Sequence, residues 1–164
     1  MRLLILATVV MTAGLLLMKK IIPRSVWNNN PLNIRISHNN DWKGETPKAV
    51  NVAHDSEFES FFQAVDGYRA AILLLRTYQR KYKLLNLAQL ISRFAPDSEN
   101  HTTQYIDFVA SKLVVSPATT LDLFNDDLVS DLVLAMHHFE TGRVWFGREF
   151  INAAIKKINS EKAA

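Results

Sequence analysis

Residues 125–142 read Asn-Asp-Asp-Leu-Val-Ser-Asp-Leu-Val-Leu-Ala-Met-His-His-Phe-Glu-Thr-Gly. Asn125 is a residue type that caps a helix, because its side-chain oxygen can accept the first free backbone N–H groups. Leu128, Val129, Leu132, Val133, Ala135 and Met136 follow at helical spacing and form a wide apolar face. Gly142 is placed to end the helix by taking a left-handed backbone conformation. The stretch therefore predicts a buried helix whose last turn carries Glu140, just before the aromatic turn of Trp145 and Phe146.

Working outward, the same period recurs. Asp66 is read as the cap of a helix through 82, with Tyr68, Ala71, Ile72, Leu75, Tyr78 and Tyr82 inward. Asn86 caps 87–94, where Leu87, Leu90, Ile91 and Phe94 make one stripe. Asn100 or Thr102 starts a helix through 113 that turns Tyr105, Phe108, Val109 and Leu113 to the core. A last helix runs over 148–158 and fades into a polar tail, 159–164. Residues 28–52 are rich in Asn, Pro and Gly and read as an irregular lobe, with a short hairpin about 38–41. The fold class is mainly α, with a small irregular or β lobe.

The 164 residues suit one domain plus an appendage, and 48% hydrophobic residues suffice for a sizeable core. There is no cysteine, which excludes disulfides and thiol chemistry. The net charge of +3 misleads. Arg2, Lys19, Lys20 and Arg24 lie in the first 24 residues, which hold no acid, so the remaining 140 carry 15 basic and 16 acidic side chains. That balance argues against nucleic acid as a partner, and Arg76, Arg80, Lys81 and Lys83 read as one solvated helix face. Residues 3–18 are uncharged and broken only by Thr8, Thr12 and Gly14. With Lys19 and Lys20 snorkelling, the run reaches the length of a membrane span. Met18-Lys19-Lys20-Ile21 offers no small-x-small cleavage site, which favours an uncleaved anchor over a signal peptide. The expected organisation is an anchor and linker over 1–24, a globular domain over 25–158 and a tail over 159–164.

Three segments carry candidate chemistry. Glu140 sits at the negative end of a helix dipole among aromatic residues, and both effects favour a protonated carboxyl, as a general acid for glycosidic cleavage requires. The plain alternative is an exposed Glu at a Gly-terminated helix. His137-x-x-Glu140 lacks a third ligand of recognisable spacing, so no metal and no cofactor is expected. In residues 28–35, the amides of Asn30 and Asn33, with Arg35, match the hydroxyl and N-acetyl groups of an amino sugar, and Trp42 offers a ring platform. The same Asn cluster is equally a set of turn residues. In 96–105, Asn100 and Tyr105 complete the set, and Glu45 is the candidate second acid.

Asn29-Asn30-Pro31-x-Asn33-Ile34-Arg35, Trp42-x-Gly44, Gly67-Tyr68-Arg69-Ala70, Ala95-Pro96-x-x-Glu99-Asn100-x-Thr102-x-x-Tyr105-Ile106-x-x-Val109 and Glu140-x-Gly142 together resemble a family of small phage virion proteins. Its members include structural proteins of tailless, membrane-containing phages. The same segments resemble lysozyme-like lytic transglycosylases in shuffled order, as a circular permutation would produce. Leu32 stands where that pattern has Gly, and Phe139 where a His precedes the Glu. The resemblance implies a lysozyme-like helical domain behind an N-terminal transmembrane helix. The implied location is the virion membrane, and the host cell membrane during assembly. The implied partners are peptidoglycan, the lipid bilayer and other virion membrane or capsid proteins. The implied functions are a peptidoglycan-degrading transglycosylase or muramidase with Glu140 as acid, or a non-catalytic structural protein of the phage internal membrane. A third is a non-catalytic envelope-binding module that uses Asn33, Trp42 and Tyr105.

Overall fold

Asn125 does what its type predicts: its side-chain oxygen accepts the backbone N–H groups of Asp127 and Leu128, each at 3.0 Å. The computed structural model describes residues 22–96 and 101–163, and the helix Asn125 opens is one of seven among those described residues. In chain order they are α1 (Arg24–Trp27), α2 (Lys48–His54), α3 (Ala64–Tyr82), α4 (Leu87–Phe94), α5 (Thr102–Leu113), α6 (Asp126–Thr141) and α7 (Arg148–Ala163). The mainly helical class is what the periodicity predicts. Among the described residues no helix is long and apolar enough to cross a membrane. The apolar run 3–18 lies outside them.

The helices pack around α3 and α6. α7 lies along α3, α5 along α6, and α4 fills the space between α3 and α5. The apolar face of α6 is buried as expected, with Val129, Leu132, Val133 and Met136 wholly inside against Tyr68, Ile72 and Leu75 of α3. Removing each such side chain from water contributes about 1.5–3 kcal/mol. Asn86 closes a capping box with Gln89 at the start of α4.

Several expectations are corrected. α3 starts at Ala64, so Asp66 is not its cap but lies in its first turn, accepting Lys157 Nζ of α7 at 2.7 Å. Arg76 does not share a solvated face with Arg80, Lys81 and Lys83. It is buried and donates to the Leu123 carbonyl and the Asp126 carboxylate, joining α3 to the start of α6. Tyr82 is largely exposed. The expected tail is helical to Ala163, and its Glu161 pairs with buried Arg69 and with Lys43.

The N-terminal lobe is held by backbone pairing between distant segments. Ile36 N–H donates to Glu57 O and Glu59 N–H to Ile34 O, flanking an antiparallel bridge between Arg35 and Phe58. Thr46 N–H donates to Ser60 O, beside a second bridge between Glu45 and Phe61. The partner of 34–36 is thus 57–59, so residues 38–41 do not form the tip of a short hairpin. Residues 24–28, which follow the expected anchor, are docked on the lobe as well. Arg24 clasps Asp55 through two donors at 2.6 and 2.7 Å and reaches Glu57 at 2.7 Å, while Ser25 and Asn28 are buried.

Candidate functional site

Two tight junctions fix the lobe on the helices. Gly67 of α3 comes so close to the Asn-rich loop that a β-carbon there would lie 2.0 Å from the Asn29 carbonyl and 2.8 Å from Pro31. His137 of α6 is buried and uses both ring nitrogens. Nδ1–H donates to the Pro31 carbonyl at 2.9 Å, and Nε2 accepts Trp145 N–H at 3.2 Å. These partners fix one neutral tautomer, and burial pulls the ring pKa below its usual value. His137 therefore ties α6, the Asn loop and the aromatic turn together, and Phe146 stacks over it at 5.9 Å. With both nitrogens engaged, it has none for the metal reading of His137-x-x-Glu140.

One turn further along α6, Glu140 meets Asn33 across this junction. Asn33 Nδ2 donates to Glu140 Oε2 at 2.8 Å. Asn33 holds a left-handed backbone at φ 50° that Asn tolerates better than most residues. Leu32, which replaces the resemblance's Gly, is wholly buried and is not the left-handed position. From the core side comes Tyr105, buried and stacked on Phe139 with ring centroids 4.0 Å apart. Burial pushes the Glu140 carboxyl pKa up, while the hydrogen bond from Asn33 and the nearby Tyr105 hydroxyl, which itself donates to the Met136 carbonyl at 3.4 Å, draw it down less strongly. Burial likewise pushes the Tyr105 hydroxyl well above its usual value, and the nearby Glu140 charge adds to this. The result is a carboxyl biased towards its protonated form, held in a fixed direction.

Glu140 and Asn33 line a cleft of about 770 Å³ between the lobe and the helices. That volume lies within the range of about 300–1,000 Å³ that small-molecule sites occupy. Arg35, Phe58, Tyr78, Lys81, Tyr82 and Arg93 line it too. Among the described lining residues, Glu140 is the one acid.

The remaining expected site residues are placed elsewhere. Asn30 is wholly buried, and its amide is taken up by the Ile34 N–H and by the carbonyls of Ile34 and Glu59. Trp42 packs against the core and does not line the cleft. Glu45 accepts the Trp42 N–H at 2.9 Å inside its own turn, away from the cleft lining. Asn100 lies outside the described residues. The aromatic wall of Tyr78 and Tyr82 was missed, because their spacing in α3 reads as core.

No family model matches the chain. Protein P5 of Pseudoalteromonas phage PM2 is 38% identical to it over 121 residues, which cover 73% of this chain and 71% of the relative. The chain belongs to the protein P5 family. The relative is a phage protein, in line with the phage resemblance of the motifs. In this P5-family chain most of the motif residues have structural roles. Gly67 permits the close approach to the loop, the Tyr68 hydroxyl donates to the Phe146 carbonyl at 2.8 Å, and Arg69 holds Glu161. Of the motif residues, Asn33, Ile34, Arg35, Ala95, Pro96 and Glu140 line the cleft, while Tyr105 is buried beside Glu140.

Proposed function

We propose that this chain is a virion-associated peptidoglycan lytic transglycosylase with a permuted lysozyme-like domain. An N-terminal anchor tethers it to the virion membrane, and to the host cell membrane during assembly, and it opens the host envelope during penetration. The observation that carries this reading is the Glu140 carboxyl, biased towards its protonated form and aimed by Asn33 at 2.8 Å along the wall of a cleft. Family membership with a phage protein supports the setting.

Protonated Glu140 gives its proton to the glycosidic oxygen as the bond to the anomeric carbon breaks, leaving an oxocarbenium-like sugar. The resulting carboxylate then takes the proton of that sugar's own C6 hydroxyl, whose oxygen closes on the anomeric carbon. The products are a 1,6-anhydro end and a free 4-hydroxyl, with the proton returned to Glu140. This route needs no second carboxylate, which suits a cleft with one acid among its described lining residues. A second reading, a non-catalytic structural protein of the phage internal membrane, draws on Asn30 and Glu45. Their polar groups serve the lobe rather than the cleft.

The test uses the full chain in detergent on purified peptidoglycan, beside Glu140→Gln. Anhydro-muropeptides should be released by the parent and fall by about 10²–10⁴-fold in the variant, the usual scale for a lost general acid. A folded parent that releases nothing from several peptidoglycan types would transfer the reading to the structural role.

A further inference from the structure

The short helix α2 is turned inside out. Asn51 is wholly buried and donates to the Phe58 carbonyl at 3.0 Å, while Ala49 is exposed and Val50 and Val52 are 58% and 51% exposed. A surface helix ordinarily does the opposite and keeps its polar side for water. α2 carries no acid, and Asp55 and Glu57, the acids that follow it, are both held by Arg24. At its end His54 stacks on half-buried Trp27, with ring centroids 6.2 Å apart, and the two line a small cavity together with Ile22. Val50 stands one turn before His54 on the same side of the helix.

The place of Ile22 in the chain says what covers this face. The uncharged run 3–18 ends four residues before Ile22, and four residues span at most about 14 Å fully extended. A headgroup layer is about 5–7 Å deep. If that run enters a bilayer, Ile22 stands within about 8 Å of the lipid surface, and Trp27 and the end of α2 stand beside it. Indole rings are favoured at that level, and valines gain by leaving water there. We propose that α2, with Val50 and Val52 outermost and Trp27 at its edge, is the face on which the domain rests on a lipid bilayer. The proposal rests on the anchor reading above and adds to it a fixed orientation of the domain. A second copy of the chain would cover the same valines without lipid, and the experiment separates the two.

The chain has no cysteine, so a single introduced cysteine places a spin label at one position. Full-length Val50→Cys, Val52→Cys and Asp127→Cys chains are labelled and reconstituted into vesicles of phosphatidylethanolamine and phosphatidylglycerol in equal parts. Asp127 is the reference, exposed at the start of α6, whose other end meets the lobe through His137 and Glu140. Collisions with oxygen, which concentrates in lipid, are compared with collisions with a water-soluble nickel chelate. Labels at 50 and 52 should lie about 5–10 Å into the headgroup boundary and favour oxygen, while the label at 127 favours nickel. Retention on the vesicles through an alkaline carbonate wash reads the anchor separately. Equal accessibility at all three positions, on a chain that survives the wash, would overturn the surface and leave the anchor standing. Labels at 50 and 52 closed to both reagents would overturn it too, in favour of a second copy or another segment of the chain. Oxygen contact at 50 and 52 with loss of the chain in carbonate would keep the surface and remove the anchor. A chain that never associates with the vesicles would remove both.

Discussion

Burial makes the Glu140 carboxyl bind its proton more tightly than an exposed carboxyl does. Its pKa is raised by burial, so the folded chain binds that proton more tightly than the unfolded chain does. Stability must then fall as pH rises through the folded pKa. Glu140→Gln removes the ionising group, so it should raise Tm at pH 8 by about 2–3 °C, a gap that closes as the pH falls below the carboxylate range. Thermal melts across pH check this, and a gap of constant size would contradict it. Asn33 acts in the opposite sense, since its hydrogen bond favours the charged form. Asn33→Ala should therefore move the alkaline limb of the pH–rate profile upward while lowering the rate about tenfold through lost aim. The sequence singled out Glu140 at a Gly-ended helix before an aromatic turn, beside the plain reading of an exposed side chain, and the structure places it on the cleft wall against Asn33. Asn30 misled because an amide suited to a sugar is equally suited to two carbonyls and an N–H of its own loop.

At the scale of elements, α6 was legible almost to the residue, since its cap, apolar face and terminating glycine agree. The start of α3 was not, because Gln63 opens it with no side-chain bond and Asp66 serves Lys157 instead. The lobe was misread for a different reason: its pairings join 34–36 to 57–59, and no local pattern marks a partner that far along the chain. Two glycines separate the local from the tertiary cause. Gly142 has φ +71° and open space around it, so Gly142→Ala should cost only about 1 kcal/mol of backbone strain. Gly67→Ala drives a methyl into the Asn29 carbonyl and should cost about 3 kcal/mol or more while parting Asn33 from Glu140. Urea unfolding ranks the two, and comparable losses would refute the assigned causes.

Across the whole molecule, the lobe is fastened at its N-terminal edge by Asp55. Burial alone would raise this carboxyl, but Arg24, the Asn28 amide and the N–H groups of Glu57 and Phe58 hold it at about 2. The clasp therefore contributes fully above the ordinary carboxylate range, and the contribution is lost as pH falls from about 4 through 2. Asp55→Asn should be less stable at pH 7 by about 2 kcal/mol, with Arg24 half-exposed to soften the loss. The difference from the parent in urea unfolding should shrink below pH 3, and one that persists there would contradict the clasp. The bond from Asn33 to Glu140 spans 107 positions, and those that seat α7 on α3 span 91 and 92. Contacts of such separation form only when nearly all the chain is present to close them. The Asn33–Glu140 pair is thus an event in time as well as a place. A nascent chain still on the ribosome carries the amide before the acid, and this corner of the cleft closes only once both have been made.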